Sequence, residues 1–206
     1  MMFIQLLKRS LRGWWNHLVH LTLLNIAWLV AQILVVTAPP ATATLYVVAN
    51  QVAQGELISA RDVWITFRAM FIPAWKWAAC NLIVLLVLAS YLLWARTQTG
   101  AIFGFVGVLV LLGLILWVEM NLLYWPLWIA QEDTGLRTTF RNAFVIVIAA
   151  PLDSLLLFLA SAVLIAVSAL IVLPLIHFLM VWLALLGANV AQALIKRISN
   201  APRAIS

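Results

Sequence analysis

The chain has 206 residues, of which 67% are hydrophobic and only 9% are charged. Soluble domains are about half apolar and a quarter charged, so this composition excludes a surface that faces water on all sides. The 12 basic residues outnumber the 6 acidic ones, but they cluster in short segments between apolar runs. That pattern suits anionic lipid headgroups and argues against nucleic acid as a partner. The sequence therefore predicts one integral membrane domain over residues 1–206, with the lipid bilayer around it.

Residues 1–16 are predicted to form an amphipathic helix that lies in the membrane interface. From Phe3 onward, apolar side chains recur at steps of three and four residues, while Lys8, Arg9 and Arg12 fall outside this pattern. The apolar stretch that follows is about 20 residues long, which exceeds the apolar core of a signal peptide. We therefore expect an uncleaved first span after the interfacial helix.

Six apolar segments are predicted to cross the membrane as α-helices, so the fold class is all-α, a polytopic bundle of about six transmembrane helices. Their predicted ranges are 17–36, 40–54, 74–94, 101–130, 143–172 and 174–195. The second range is short against the roughly 20 residues that a span needs, so we expect it to cross a thinned region or to pack inside the bundle. The fourth and fifth ranges are long and are expected to tilt, kink or extend beyond the bilayer.

Prolines and one polar pair mark several predicted helix boundaries. Pro40 suits the first turn of the short second helix. Ser59 followed by Asp62 resembles a capping box at the start of a helix that precedes the third span. Pro73 is predicted to break that helix, and Pro151 is predicted to kink the fifth span.

The distribution of Lys and Arg sets the predicted orientation. If all six segments cross and the N-terminus is cytoplasmic, every basic residue except Arg96 falls on the cytoplasmic side. If residues 40–54 do not cross, the basic residues divide between the two sides, contrary to the positive-inside rule. The rule favours six crossings with both termini in the cytoplasm.

Three polar residues within the apolar segments are candidates for an intramembrane site: Glu119, Asn121 and Asp153. Ionisable groups at bilayer depth are costly and therefore rare. Counting about 1.5 Å per residue from the cytoplasmic ends of the fourth and fifth spans places both carboxyl groups at a similar depth. Two interpretations follow. The residues either form a polar site for a cation, a proton or a polar solute, or they only join helices through hydrogen bonds.

The sequence predicts no cofactor and no enzymatic activity. Cys80 is a single cysteine, which excludes the spacing of zinc and iron–sulfur sites. His17 and His20 could ligate a haem or a chlorophyll, but interfacial histidines that contact lipid headgroups are far commoner. The sequence contains no nucleophile elbow, phosphate loop or metal-protease helix.

The N-terminal part of the chain resembles a known family. Asn25-x-x-Trp28, the Ala- and Thr-rich stretch 35–46 and the aromatic–Arg helix 62–71 are similar to the signature of the YesL-like family of bacterial membrane proteins. The family is a domain of unknown function, so the resemblance implies a fold class but no catalytic residues. It also implies a location in the bacterial cytoplasmic membrane and an accessory role beside ATP-driven carbohydrate uptake systems.

These observations lead to one functional hypothesis and one alternative. The hypothesis is a non-enzymatic accessory or assembly subunit that binds another membrane protein or a second copy of itself. The predicted docking surface is the cytoplasmic face with Arg61, Arg68, Arg137 and Arg141. The alternative is a small-solute or ion transporter that uses Glu119 and Asp153. A third function, an enzyme acting on lipid, is disfavoured because both carboxyl groups are predicted to lie more than a helical turn from the headgroups.

Overall fold

A computed structural model gives the architecture of the chain and describes residues 2–95, 97–98, 100–171, 176 and 178–199. This part of the chain contains eight α-helices and no β-strand. The helices are α1 (Met2–Asn16), α2 (Leu18–Gln32), α3 (Ala38–Ala53), α4 (Ala60–Ala95), α5 (Ala101–Ala130), α6 (Leu136–Ala149), α7 (Pro151–Leu170) and α8 (Leu179–Ser199). Four of them, α4, α5, α7 and α8, are long and apolar enough to cross a membrane. The fold is all-helical, and its apolar helices suit a membrane.

Two helices that are predicted from the sequence to cross the membrane are shorter than these four. The first, α2, has 15 residues and α3 has 16. Helices of this length reach only about 22–24 Å, less than the hydrocarbon core of a bilayer. Most side chains of α3 are buried against α2, α4 and α8, so this helix packs inside the bundle. The number of six crossings and the interfacial position of α1 stay predictions.

The C-terminal ends of α3, α5 and α8 lie together. Gln54, Ala130 and Lys196 line one cavity of about 470 Å³, so the three helices point in the same direction. Six alternating crossings would require this common direction for the second, fourth and sixth spans. We call this end of the molecule the basic end, because Arg9 and Arg197 also lie there.

The prolines behave differently at two positions. The prediction that Pro73 breaks a helix is wrong, because α4 continues through it from Ala60 to Ala95. Apolar helices tolerate proline where neighbouring helices and side chains satisfy the freed backbone groups. At Pro151 the chain does turn: Ala150 leaves the helical region with φ −137° and ψ 61°, and Pro151 opens α7. The predicted fifth span 143–172 is thus divided between α6 and α7.

Two buried apolar clusters hold the bundle together, and both include residues of α5 and α8. The first joins these two helices to α1, α6 and α7, and the second joins them to α2, α3 and α4. Gly187 on α8 permits the close approach, because a Cβ at this position would lie 2.9 Å from Cγ of Pro126 on α5. The contact between α5 and α8 is therefore the centre of the fold.

A buried asparagine connects α2 to the start of α8. The side chain of Asn25 donates from Nδ2 to the carbonyl of Ile176 at 2.7 Å, and its Oδ1 accepts from the backbone N–H groups of Met180 and Val181 at 3.1 and 3.4 Å. These N–H groups belong to the first turn of α8 and have no partner within their own helix. Asn25 thus caps a helix that lies about 150 residues further along the chain.

The halves of α4 and α5 far from the basic end project from the bundle. Over residues 82–95 and 100–112 most apolar side chains are exposed, which is the pattern of a lipid-facing surface. Trp94 on α4 contacts Phe103 on α5 edge to face, with ring centroids 5.6 Å apart. We call these two segments the α4–α5 arm.

Candidate functional site

A reciprocal pair of Trp and Asn residues joins α4 to α5 at the base of the arm. Trp77 donates its indole N–H to Oδ1 of Asn121 at 2.9 Å, and Trp117 donates to Oδ1 of Asn81 at 3.0 Å. Each asparagine also donates from Nδ2 to the backbone carbonyl four residues earlier, which is that of Trp77 for Asn81 and of Trp117 for Asn121. Both helices thus carry the same Trp-x-x-x-Asn spacing, and because they run antiparallel each Trp meets the Asn of the other. We call these four residues the Trp–Asn clasp.

The clasp gives Asn121 a structural role. Its carbonyl oxygen and its amide nitrogen are both hydrogen-bonded, one across the helix interface and one within α5. The ring of Trp117 also stacks on Phe140 of α6, with centroids 4.9 Å apart. These contacts match the interpretation in which polar side chains join membrane helices.

Glu119 lies on the other side of α5. It is only 8% exposed, and within the described residues its side chain makes no hydrogen bond or ion pair. Residues two positions apart on a helix point about 200° away from each other. Glu119 therefore faces away from Asn121 and Trp117, and the structure separates these neighbours in sequence.

Asp153 belongs to the basic end. Its Oδ2 lies 3.1 Å from Nη1 of Arg197, whose side chain is 67% exposed in the last turns of α8. The equal depth predicted for the two carboxyl groups assumed one continuous helix over 143–172, whereas the chain turns at Ala150. Glu119 lies eleven residues before the end of α5, about 16 Å from the basic end. The structure thus shows no common site for Glu119, Asn121 and Asp153 among the described contacts.

The four arginines predicted for a docking face are all exposed: Arg61, Arg68, Arg137 and Arg141. Arg61 and Arg68 lie near the start of α4, and Arg137 and Arg141 lie near the start of α6. The predicted capping box at the start of α4 is confirmed, since Oδ2 of Asp62 accepts from both the hydroxyl and the backbone N–H of Ser59. Arg68 also lies over the ring of Trp64, 5.5 Å from its centroid.

Asp133 accepts hydrogen bonds at the start of α6, as Asp62 does at the start of α4. It accepts hydrogen bonds from the hydroxyl of Thr138 at 2.7 Å and from the backbone N–H of Gly135 at 2.9 Å. These bonds stabilise the charged form and lower the pKa of Asp133 below its ordinary value, with the Thr138 bond as the largest cause. The segment that presents Arg137 and Arg141 therefore has a fixed start.

Two adjoining cavities at the basic end contain polar residues that the sequence did not single out. They measure about 470 and about 110 Å³ and share Asn50, Gln54, Ala188 and Gln192 as lining residues. We call them the basic-end cavities. The only sequence signal for them is the set of carboxamides in the last turns of α3 and α8, two helices that otherwise carry few polar residues.

His17 and His20 line a different groove of about 580 Å³ between α2, α3 and the start of α4. Its other lining residues are mostly apolar, with Glu56 and Ser59 at the α3–α4 connection. The two histidines therefore lie at the border of an apolar groove.

Comparison with known proteins adds no relative: no protein-family model, curated protein or solved structure matches the chain. The resemblance to the YesL-like family stays a prediction. Two of its signature residues nevertheless have clear contacts, since Asn25 caps α8 and Trp28 donates to the hydroxyl of Thr42 at 3.0 Å.

Proposed function

We propose that the protein is a non-enzymatic accessory or assembly subunit that binds another integral membrane protein. The supporting observation is the α4–α5 arm, which extends from a rigid base and leaves most of its side chains exposed. Within it, a Cβ added at Gly104 or Gly107 would meet no atom within 4 Å. Small residues let a second membrane helix approach closely, and helix association in lipid depends on such packing.

The use of polar groups supports the same proposal. Asn121 is held in the Trp–Asn clasp and Asp153 by Arg197, so two of the three residues predicted for a solute site join parts of this chain to each other. The exposed Arg68 and Arg141 add a charged surface for contacts outside the bilayer. With the family resemblance, the proposal extends to a partner in carbohydrate uptake and to the bacterial cytoplasmic membrane with both termini inside.

Affinity purification of the tagged chain in mild detergent, followed by mass spectrometry, tests this proposal. We expect a stoichiometric membrane partner that is lost when Gly104 and Gly107 are both replaced by Ile. The matched control replaces Ala162 and Ala166, two exposed small residues of α7, by Ile. A partner retained equally by both variants, or a homo-oligomer with nothing attached, would contradict the proposal.

Charge reversal tests the second surface separately. We expect Arg68→Glu with Arg141→Glu to weaken partner capture, because both guanidinium groups are exposed and available to an acidic partner surface. Unchanged capture would remove these residues from the proposed interface.

One observation favours the transporter as a second candidate: Glu119 is buried and, within the described residues, has no hydrogen-bonded partner. Buried carboxyl groups of this kind mark proton and ion pathways in many membrane proteins. Solute flux into liposomes that Glu119→Gln abolishes would support transport, and unchanged flux in this variant would exclude Glu119 as its site.

A further inference from the structure

The basic-end cavities lie where α3, α5 and α8 end and where α1 crosses α8. The larger cavity is walled by residues at and before the C-terminal ends of these three helices, and the smaller one adds Arg9, Ser10 and Gly13 of α1. α1 is fixed against this wall, because Nδ2 of Asn189 on α8 donates to the hydroxyl of Ser10 at 2.9 Å. The cavities are therefore formed by elements that hold each other in place.

The charge of the cavities has one sign. Arg9 and Lys196 line them, and no acidic side chain occurs among their described lining residues. Asp153 at this end pairs with Arg197, which is not a lining residue. The carbonyl ends of three helices add partial negative charge, and the two cations counteract it.

The neutral polar groups of the cavities are available to a ligand. Within the described part of the chain, the side chains of Asn50, Gln54 and Gln192 make no hydrogen bond. Gln54 and Gln192 are exposed and stand at the opening, whereas Asn50 is half-buried. Together with Arg9 in the smaller cavity and Lys196 in the larger one, they offer several N–H donors in two adjoining cavities, which suits an oxyanion such as a phosphodiester.

The remaining wall is apolar. Pro126, Ile129, Ala130 and Ile195 line the larger cavity beside the polar groups. A cavity lined both by donors and cations and by aliphatic side chains fits an amphiphilic molecule. Its volume of about 470 Å³ lies within the range of ligand pockets, roughly 300–1,000 Å³.

We propose that the basic-end cavities bind the phosphodiester headgroup of an anionic phospholipid. Basic pockets between membrane helices on the cytoplasmic side are a recurrent form of lipid headgroup site. Arg9 and Lys196 contact the phosphate, the carboxamides of Gln54 and Gln192 bind its ester oxygens or the polar part of the headgroup, and the aliphatic wall packs against the glycerol region. This assignment is independent of any partner protein that the α4–α5 arm binds.

Native mass spectrometry of the purified full chain in detergent tests the proposal, with dioleoylphosphatidylglycerol and dioleoylphosphatidylcholine as probes. We expect preferential binding of the phosphatidylglycerol. The double variant Arg9→Gln, Lys196→Gln should bind it about 30-fold more weakly, since each cation near a lipid phosphate contributes about a factor of five. The matched control, Lys8→Gln with Arg12→Gln, removes the same charge from exposed positions outside the cavities and should bind as the wild type does.

A third variant, Gln192→Leu, keeps all charges and removes one exposed carboxamide that lines both cavities. We expect a smaller loss of phosphatidylglycerol binding, with unchanged helix content by circular dichroism. Equal binding of the two lipids would overturn the proposal, and so would an equal loss in the cavity and control double variants. Inorganic phosphate that binds alone as tightly as the lipid would overturn the lipid assignment.

Discussion

The Trp–Asn clasp leads to a prediction that a double-mutant cycle can test. Asn121→Leu keeps the approximate size of the side chain and suits a helix at least as well, but it removes the oxygen that accepts the indole N–H of Trp77. Trp77→Phe removes the donor. Hydrogen bonds between membrane helices are worth about 0.6 kcal/mol on average and at most about 1.7. A half-buried indole N–H that loses its partner adds a desolvation penalty, so we expect Asn121→Leu alone to cost about 1–2 kcal/mol.

The cycle isolates the bond from the other effects of each substitution. The double variant Trp77→Phe, Asn121→Leu leaves neither donor nor acceptor unpaired, so it should be more stable than the sum of the two single changes predicts, by about 0.6–1.7 kcal/mol. The control cycle combines Trp77→Phe with Asn81→Leu. Asn81 accepts from Trp117 and donates only to the backbone carbonyl of Trp77, so these two changes should be nearly additive.

Unfolding of the purified protein by SDS in mixed micelles, followed by circular dichroism, gives the four free energies of each cycle. A coupling energy near zero for Trp77 with Asn121 would refute the stabilising role of the clasp. Equal coupling energies in the two cycles would refute it as well. Either result would mean that the two indole–amide contacts do not stabilise the pair of helices.

Three further predictions concern other parts of the fold. Gly187→Ala should lower the free energy of unfolding by about 1–3 kcal/mol, because its Cβ would overlap a proline of α5, whereas Gly104→Ala should cost nothing; SDS unfolding compares the two. The pKa of Asp133 is lowered in the folded protein, so its charged form stabilises the wild type above the ordinary aspartate pKa, and this contribution is lost as the pH falls through the lowered pKa. Asp133→Asn should lack this part of the acid dependence when unfolding is measured from neutral to acidic pH. Asp153→Asn should cost less than about 1 kcal/mol and less still at high salt, because Arg197 is largely exposed; a larger, salt-independent loss would show that the ion pair is not what the substitution disrupts.

Local signals in the sequence predicted several elements well. α5 begins and ends where its apolar run does, and the capping box at Ser59 and Asp62 forms through two short hydrogen bonds. Each of these features depends on residues close together in the chain. The error at Pro73 has a physical reason, since the rule that proline ends a helix comes from proteins in water and weakens among apolar helices.

The features that the sequence did not yield depend on contacts between distant segments. The clasp joins residues 44 and 36 positions apart, and its Trp-x-x-x-Asn spacing becomes meaningful only when α4 and α5 are known to be antiparallel. The predicted depth of Asp153 assumed one continuous helix over 143–172, and the turn at Ala150 divides that helix into α6 and α7. The basic-end cavities combine four helices, and no single helix shows more than two of their carboxamides.

The cap that Asn25 provides has a consequence for how the protein is made. α2 leaves the ribosome long before α8, so Asn25 cannot accept the hydrogen bonds from Met180 and Val181 until the last described helix has been synthesised. An intermediate that lacks α8 lacks these two hydrogen bonds and the α8 residues of both apolar clusters. Insertion of α8 forms these hydrogen bonds and completes both clusters in one step, so a membrane protease or chaperone that recognises incompletely packed helices would distinguish unfinished chains from finished ones.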